Sequence, residues 1–203
     1  MKLYYSTNLN PRVAVAVARY LKSPVEFIRS SPRDPRHEEA FRPINPNTLV
    51  PVLVEGDRSY WETDAIACRL SQIACSDFWA AGDSLPETVR WLSWSKDHLT
   101  AMGAAYYFEN IVKPKYLGLP PDPRTIEGAE DNFHRYAKVL DDILASRRWL
   151  IEDRLTYADS RAATIMPFAN EAKMPVDGYK NILGWASRLD EIDAWRAPFE
   201  GLS

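Results

Sequence analysis

The segment Glu62-Thr63-Asp64-Ala65-Ile66 places a carboxylate and a hydroxyl at the start of a predicted helix that runs to about Cys75. The first turn of a helix has free N–H groups and the positive end of the helix dipole, so it can bind a carboxylate. The hydroxyl of Thr63 adds a hydrogen-bond donor, and Glu62 can hold an ammonium group by charge. The pattern predicts a carboxylate-binding site, with a plain capped helix as the alternative interpretation.

A second polar segment, from Ser6 to Asn10, follows the short β-favouring run Leu3-Tyr4-Tyr5. Asn10 is a good N-cap and Pro11 suits the first helical position. The alternating valines and alanines that follow are therefore predicted to form a helix rather than a buried strand. Ser6, Asn8 and Asn10 are then hydrogen-bond donors at the junction between a strand and a helix.

The other patterns in the first third of the chain predict a small α/β sandwich. Residues 25–28 alternate as a second strand, and residues 32–37 are charged and broken by proline, which indicates a loop. Residues 52–54 and 58–60 form a predicted hairpin around Glu55-Gly56-Asp57. Because a helix separates the first two strands, they are expected to be parallel.

Strand signals end after the turn-rich segment from Phe78 to Pro86. Four helices are predicted beyond it, over residues 87–113, 125–145, 156–171 and 179–191, with Pro114 ending the first. The predicted organisation is an α/β domain over residues 1–78, a linker over 79–87 and an all-helical domain over 88–203.

Three motifs in this order resemble the cytosolic glutathione transferase superfamily. Asn45-Pro46-Asn47-Thr48-Leu49-Val50-Pro51 is similar to the loop that ends in Val-Pro in that family, and Glu62–Ile66 is similar to its Glu-Ser-x-Ala-Ile motif. Thr156-Tyr157-Ala158-Asp159 resembles the capping box of the sixth helix. The resemblance implies a thioredoxin-like glutathione-binding domain followed by an all-α helical bundle.

The resemblance also implies which residues bind glutathione. A cis peptide bond before Pro51 would turn the backbone of Val50 toward the cysteinyl part of the ligand, and Glu62 and Thr63 would hold its γ-glutamyl end. The family loop usually reads Asn-Pro-x-Gly-Lys-Val-Pro, whereas this chain has threonine and leucine at positions 48 and 49. A residue that holds the glycyl carboxylate is therefore missing, and Arg36 or His37 could replace it, unless they belong to a solvated charged loop.

Members of the family act by stabilising the thiolate of bound glutathione with a hydrogen-bond donor near the end of the first strand. Alignment on that strand puts Asn10 at the donor position, alignment on Arg12 puts Asn8 there, and Ser6 lies closest to the strand end. All three remain candidates, and Asn10 could instead only cap the helix. Without a Cys-x-x-Cys pair after the first strand, a thioredoxin-type reaction is excluded.

The long helix after the linker is expected to line the site of a small apolar electrophile, by the same resemblance. Trp94, Tyr106 and Tyr107 are its candidate lining residues, although adjacent tyrosines point about 100° apart and cannot both face one pocket. The resemblance also implies a homodimer, in which Asp97 could contact the site of the partner.

Composition limits the function further. The chain of 203 residues is 46% hydrophobic and 26% charged, with a formal net charge of −3, so nucleic-acid binding is not expected. No stretch could span a membrane, no metal site is expected, and two cysteines are too few for a disulfide framework. Cys68 and Cys75 are expected to be buried thiols in a cytoplasmic protein. The predicted activity is glutathione transfer to an electrophile, or reduction of a peroxide or disulfide; a non-catalytic binding or interaction protein of the same fold is the alternative.

Overall fold

The structure is a computed structural model in which residues 1–31 and 34–202 are described, except for the side chains of residues 35–37. These residues form two compact units. Residues 1–79 together with 192–202 make a mixed α/β unit, and Ala80–Glu191 make an all-helical unit. The predicted fold class, a thioredoxin-like domain plus a helical bundle, is confirmed.

The first unit is built on one sheet of four strands in the described part of the chain: β1 (Lys2–Tyr5), β2 (Glu26–Arg29), β3 (Val52–Glu55) and β4 (Arg58–Trp61). Their order across the sheet is β2-β1-β3-β4. β1 and β2 are parallel, while β3 is antiparallel to both β1 and β4. The predicted parallel first pair and the hairpin are therefore confirmed.

Residues 1–79 also form three helices, α1 (Leu9–Tyr20), α2 (Pro35–Phe41) and α3 (Thr63–Ile73). The Val/Ala run from Val13 to Ala18 is wholly buried in α1, as a helix at the centre of a small core requires. Its N-cap is Asn8, so the prediction of Asn10 as N-cap is wrong. The prediction of a loop over residues 32–37 is also wrong in part, because α2 begins at Pro35, where proline is well suited to the first helical position.

The second unit is organised around a helix that continues from Leu85 to Leu117. It consists of α4 (Leu85–Trp94), a π-helical segment (Ser95–Leu99), α5 (Thr100–Tyr107) and a second π-helical segment (Phe108–Leu117). Contrary to prediction, Pro114 does not end this helix. The backbone hydrogen bonds around Pro114 follow the i→i+5 pattern of a π-helix, so the proline does not interrupt a regular α-helical turn. Gly118 ends the helix in the left-handed conformation, with φ of 64°.

The remaining helices are α6 (Pro123–Leu144), α7 (Tyr157–Ala162) and α8 (Lys180–Asp190) in the second unit and α9 (Asp193–Arg196) in the first. The single helix predicted over residues 156–171 is wrong: α7 ends early and a 3₁₀ turn follows at Met166–Phe168, where Pro167 has no N–H to continue the ladder. No helix among the described residues has the length and apolar character to cross a membrane.

Residues 192–202 pack on the first unit, whereas the predicted helical domain includes them. The contact depends on Arg12 of α1, which donates to the carbonyl of Trp195 and lies over its indole ring at 4.8 Å. Trp195 and Arg12 are both buried. The other predicted domain boundaries stay a prediction.

Candidate functional site

Three of the segments singled out in the sequence meet at the same edge of the sheet. Tyr4 of β1 pairs with Val52 of β3, and Val52 pairs in turn with Trp61 of β4, both in antiparallel register. The chain leaving β1 (residues 6–10), the chain entering β3 (50–51) and the chain leaving β4 (62–63) are therefore brought to one end of the sheet.

The first turns of α1 and α3 meet at this edge. The Thr63 hydroxyl donates to the carbonyl oxygen of Asn10 at 3.2 Å, and Thr63 is only 3% exposed. The predicted donor is thus already used within the protein, so the groups left for a carboxylate are the N–H groups of the first turn of α3. Two helix N-termini side by side give this edge a positive potential.

Glu62 stands at the N-cap of α3 with φ of 72° and ψ of 130°, and its side chain is exposed. A positive φ in a residue other than glycine costs about 1–3 kcal/mol and is often found at functional sites. The conformation places an exposed carboxylate directly before the free N–H groups of the helix. That pairing fits an ammonium and a carboxylate on one ligand.

The loop before β3 is held by Asn45, which sequence reasoning did not single out. Asn45 is 3% exposed; its side-chain amide donates to the carbonyl of Leu49 at 2.8 Å, and its Oδ1 accepts from the N–H of Asn47 at 3.0 Å. An Asx turn of this kind is encoded by Asn-Pro-Asn and could have been predicted. The peptide bond between Val50 and Pro51 is cis, as predicted. Within the described residues, the Val50 backbone forms no hydrogen bond.

Thr48 and Leu49, the two departures from the family loop, have clear structural consequences. Thr48 has φ of 49°, a left-handed conformation that glycine adopts freely and a β-branched residue does not. The side chain of Leu49 is 38% exposed and presents an apolar group to solvent. Thr48 therefore holds a backbone conformation that a glycine would adopt without strain.

Replacing Thr48 with glycine is expected to raise the free energy of unfolding by about 1 kcal/mol, because relief of left-handed strain exceeds the added entropy of the unfolded chain. Chemical denaturation followed by circular dichroism measures the change. Thr48→Ala is the matched control, since it removes the branched side chain but retains the strain, and it should change stability by less than about 0.5 kcal/mol. Equal stabilisation by both substitutions would contradict this explanation.

The three candidate donors near the thiol position differ in accessibility. Ser6 lies just beyond β1, and its Oγ is buried without a hydrogen-bond partner among the described residues. Asn8 and Asn10 are exposed, and the side chain of Asn8 does not cap α1 although the residue is the N-cap. A ligand can therefore reach the two asparagines, whereas it cannot reach the Ser6 hydroxyl in this conformation.

The remaining predicted residues are two basic residues before β3 and the two cysteines. The side chains of Arg36 and His37 lie outside the described part of the chain. The expectation of two buried thiols is wrong: Cys68 is half-buried and Cys75 is exposed, because Cys75 lies beyond the end of α3. Burial raises the pKa of the Cys68 thiol, which makes it a poorer nucleophile. Among the side chains that the structure describes, those of residues 1–31, 34 and 38–202, there is no group of three or more potential metal ligands.

In the helical unit, the three predicted pocket residues do not line one pocket. Tyr106 and Tyr107 are 3% and 7% exposed and pack against Phe133 and Phe168 respectively, as core side chains do. Burial raises the pKa of Tyr107 to about 12, so this phenol stays protonated. Asp97 is exposed on the first π-helical segment.

Trp94 instead lines a cavity of about 320 Å³ between α4 and α6. Neither Tyr106 nor Tyr107 lines this cavity. Its lining residues are apolar or cationic: Arg90, Trp91, Trp94, Val139, Ile143 and Arg147.

A thioredoxin-like sheet with a cis Val50–Pro51 bond before β3 and a helix start after β4, followed by an all-helical unit, is the fold of the glutathione transferases. Residues 9–75 match the family described as glutathione S-transferase, N-terminal domain, and residues 102–193 match glutathione S-transferase, C-terminal domain. The chain belongs to the glutathione S-transferase family.

Individual relatives agree with this assignment. The chain is 28% identical over 200 residues to a probable glutathione S-transferase of Oryza sativa subsp. japonica, covering 93% of this chain and 91% of the relative. It is 24% identical over 157 residues to human glutathione S-transferase theta-1, covering 75% and 65%. Among solved structures, glutathione S-transferase III in apo form superposes with a TM-score of 0.87 at 21% identity, covering 99% of this chain and 96% of that one, and so supports the fold.

Proposed function

We propose that this protein binds glutathione along the sheet edge formed by residues 6–10, 50–51 and 62–63 and stabilises its thiolate for transfer. The observation that carries the proposal is the hydrogen bond from Thr63 to the Asn10 carbonyl, which joins the N-termini of α1 and α3. One helix start is then available for the γ-glutamyl carboxylate and the other for the thiolate.

The ligand chemistry matches the edge group by group. The exposed carboxylate of Glu62 faces solvent beside the first turn of α3, where it can pair with the γ-glutamyl ammonium. The backbone N–H and C=O of Val50 can pair with the cysteinyl residue like a short added strand. Asn8, at the N-cap of α1, is the donor that we assign to the thiolate, because it is exposed and lies at the positive end of the helix.

Isothermal titration with glutathione tests the binding step. We expect saturable binding, with a dissociation constant in the millimolar range or below. Absence of binding at millimolar glutathione would favour a non-catalytic protein of the same fold, a possibility that Leu49 in place of the usual lysine keeps open. If glutathione binds, a panel of chlorinated aromatics, peroxides and disulfides then distinguishes conjugation from glutathione-dependent reduction.

Replacing Leu49 with lysine is expected to tighten glutathione binding by about 5-fold, because an exposed ion pair with the glycyl carboxylate is worth up to about 1 kcal/mol. Titration at low and high salt measures the gain, which should shrink as salt screens the pair. Leu49→Gln is the control: it is polar and of similar length but uncharged, and it should leave affinity nearly unchanged. A salt-independent gain in both variants would show that loss of the exposed leucine, rather than charge, is responsible.

For the second substrate and the assembly, the support for the proposal is membership of the family. We assign a small apolar electrophile as the acceptor, with Trp94 as the accessible aromatic candidate of the three predicted residues, since Tyr106 and Tyr107 are buried. A homodimer with Asp97 at the partner contact remains part of the proposal, as does a cytoplasmic location. Analytical ultracentrifugation of the wild-type protein and of Asp97→Asn tests the assembly.

A further inference from the structure

The C-terminal segment, residues 192–202, holds α1 at two places through arginine side chains. Near the start of the helix, the Arg12 guanidinium donates to the carbonyl of Trp195 and stacks over its ring at 4.8 Å. In the last turn, Arg19 donates to the carbonyls of Pro198 and Glu200 at 2.8 and 2.6 Å. We refer to residues 192–202 as the C-terminal strap.

The strap also contacts β1, the strand that precedes residues 6–10. We refer to residues 6–10 as the thiol-binding loop. Phe199 stacks on Tyr5 with ring centroids 5.7 Å apart and ring planes 14° from parallel. Tyr5 is the last residue of β1 and is 2% exposed. The strap therefore fixes Tyr5 on one side of residues 6–10 and Arg12 on the other.

The contact between Arg12 and Trp195 is buried. Arg12 is 6% exposed and Trp195 is 4% exposed, so the guanidinium is removed from water and depends on protein groups for its hydrogen bonds. The N–H of Arg12 also donates to the carbonyl of Asn8 at 2.9 Å, the first hydrogen bond of α1. A shift of Arg12 would consequently move the N-cap residue, and a displacement of about 1 Å at a reacting group is enough to reduce catalysis about 100-fold.

We propose that Arg12 is a positioning residue for the thiol-binding loop and that the C-terminal strap, through Trp195, keeps it in place. The proposal rests on the proposed function, because it concerns the same thiolate. Arg12 itself need not touch glutathione: it fixes the first turn of α1, and Asn8 with that turn stabilises the sulfur.

The test compares Arg12→Met and Trp195→Leu with Arg19→Met in the full-length protein. Arg19→Met is the matched control, since it removes two hydrogen bonds to the same strap at the far end of α1. The pKa of the bound glutathione thiol, followed by ultraviolet absorbance of the thiolate, is expected to rise by about one unit in the first two variants and to stay unchanged in the third. The pH profile of kcat/KM for the electrophile, measured at saturating glutathione, should shift by the same amount, and Trp195→Phe, which retains a ring, should recover most of the effect.

The outcomes separate the two proposals. If wild-type protein does not bind glutathione or does not lower its thiol pKa, the proposed function fails. If it does both and Arg12→Met leaves the thiol pKa unchanged while thermal unfolding shows a folded protein, only the positioning role fails. Full recovery in Arg12→Lys, with no effect of Trp195→Leu, would also overturn the positioning role, because charge alone would then be sufficient.

Discussion

Replacing Asn8 with alanine should lower kcat/KM for glutathione conjugation by about 100-fold, the usual loss when one preorganised donor to a developing or stabilised anion is removed. Asn8 is exposed at the N-cap of α1, and its side chain does not cap the helix. Without the amide, the thiolate would retain the helix N–H groups but lose its side-chain donor, so the pKa of the bound thiol should rise. Steady-state kinetics and titration of the thiolate absorbance measure both effects.

Two substitutions at the same position act as controls. Asn8→Ser retains a donor and should recover part of the activity, whereas Asn8→Asp retains the size but repels a thiolate and should be at least as impaired as alanine. Ser6→Ala should change kcat/KM by less than about 3-fold, because the Ser6 Oγ is buried in the ligand-free protein. A larger loss for Ser6→Ala or Asn10→Ala than for Asn8→Ala would contradict the assignment.

Residues 62–66 and 45–51 could be interpreted from the sequence because their structure is local. A helix start, a turn and an X-Pro bond are encoded within a few residues, and the sheet register then brings the segments together. The N-cap of α1 differs from the prediction for a related reason. Proline is tolerated throughout the first helical turn, where no N–H has an intrahelical partner, so Pro11 does not specify which asparagine is the cap.

Contacts between distant residues could not be predicted. Arg12 and Trp195 are separated by 183 positions, and no local pattern connects an arginine in α1 with a tryptophan near the C-terminus. The same holds for the hydroxyl of Thr63, whose partner is a backbone carbonyl in another helix. Exposure of Cys75 and burial of Tyr106 likewise depend on where helices end and how they pack rather than on residue type.

Asp159 illustrates a motif that could be predicted but whose importance depends on packing. Its carboxylate is fully buried and accepts from the Thr156 N–H at 3.0 Å and hydroxyl at 3.1 Å, from the Leu150 N–H at 2.9 Å and from the Trp185 indole at 3.0 Å. The predicted capping role at Thr156 is confirmed. The contacts with Leu150 and Trp185 extend it into a junction of three chain segments in the helical unit.

Replacing Asp159 with alanine is expected to lower the free energy of unfolding by at least about 3 kcal/mol, because four buried donors lose their acceptor. Trp185→Phe removes only one of the donors and should cost about 1 kcal/mol for that hydrogen bond, plus the loss of part of a buried ring. Denaturation followed by far-ultraviolet circular dichroism avoids the change in tryptophan fluorescence. If Asp159→Ala were no more destabilising than Trp185→Phe, the carboxylate would not hold the junction together.

The pH dependence gives an independent test, because burial raises the pKa of Asp159 from its ordinary value of 3.8 to about 6 despite its four hydrogen bonds. Between about pH 4 and pH 6 the folded protein then holds a proton that the unfolded chain has lost. The carboxyl therefore contributes most to stability below pH 4, and this contribution falls by about 3 kcal/mol as the pH rises to 6 and above. Asp159→Asn cannot titrate and should lack that part of the pH dependence. The difference in free energy of unfolding between wild type and Asp159→Asn should therefore become smaller between pH 4 and pH 7. Parallel pH profiles of unfolding free energy for the two proteins would show that the four donors, rather than burial, determine the ionisation of this carboxyl.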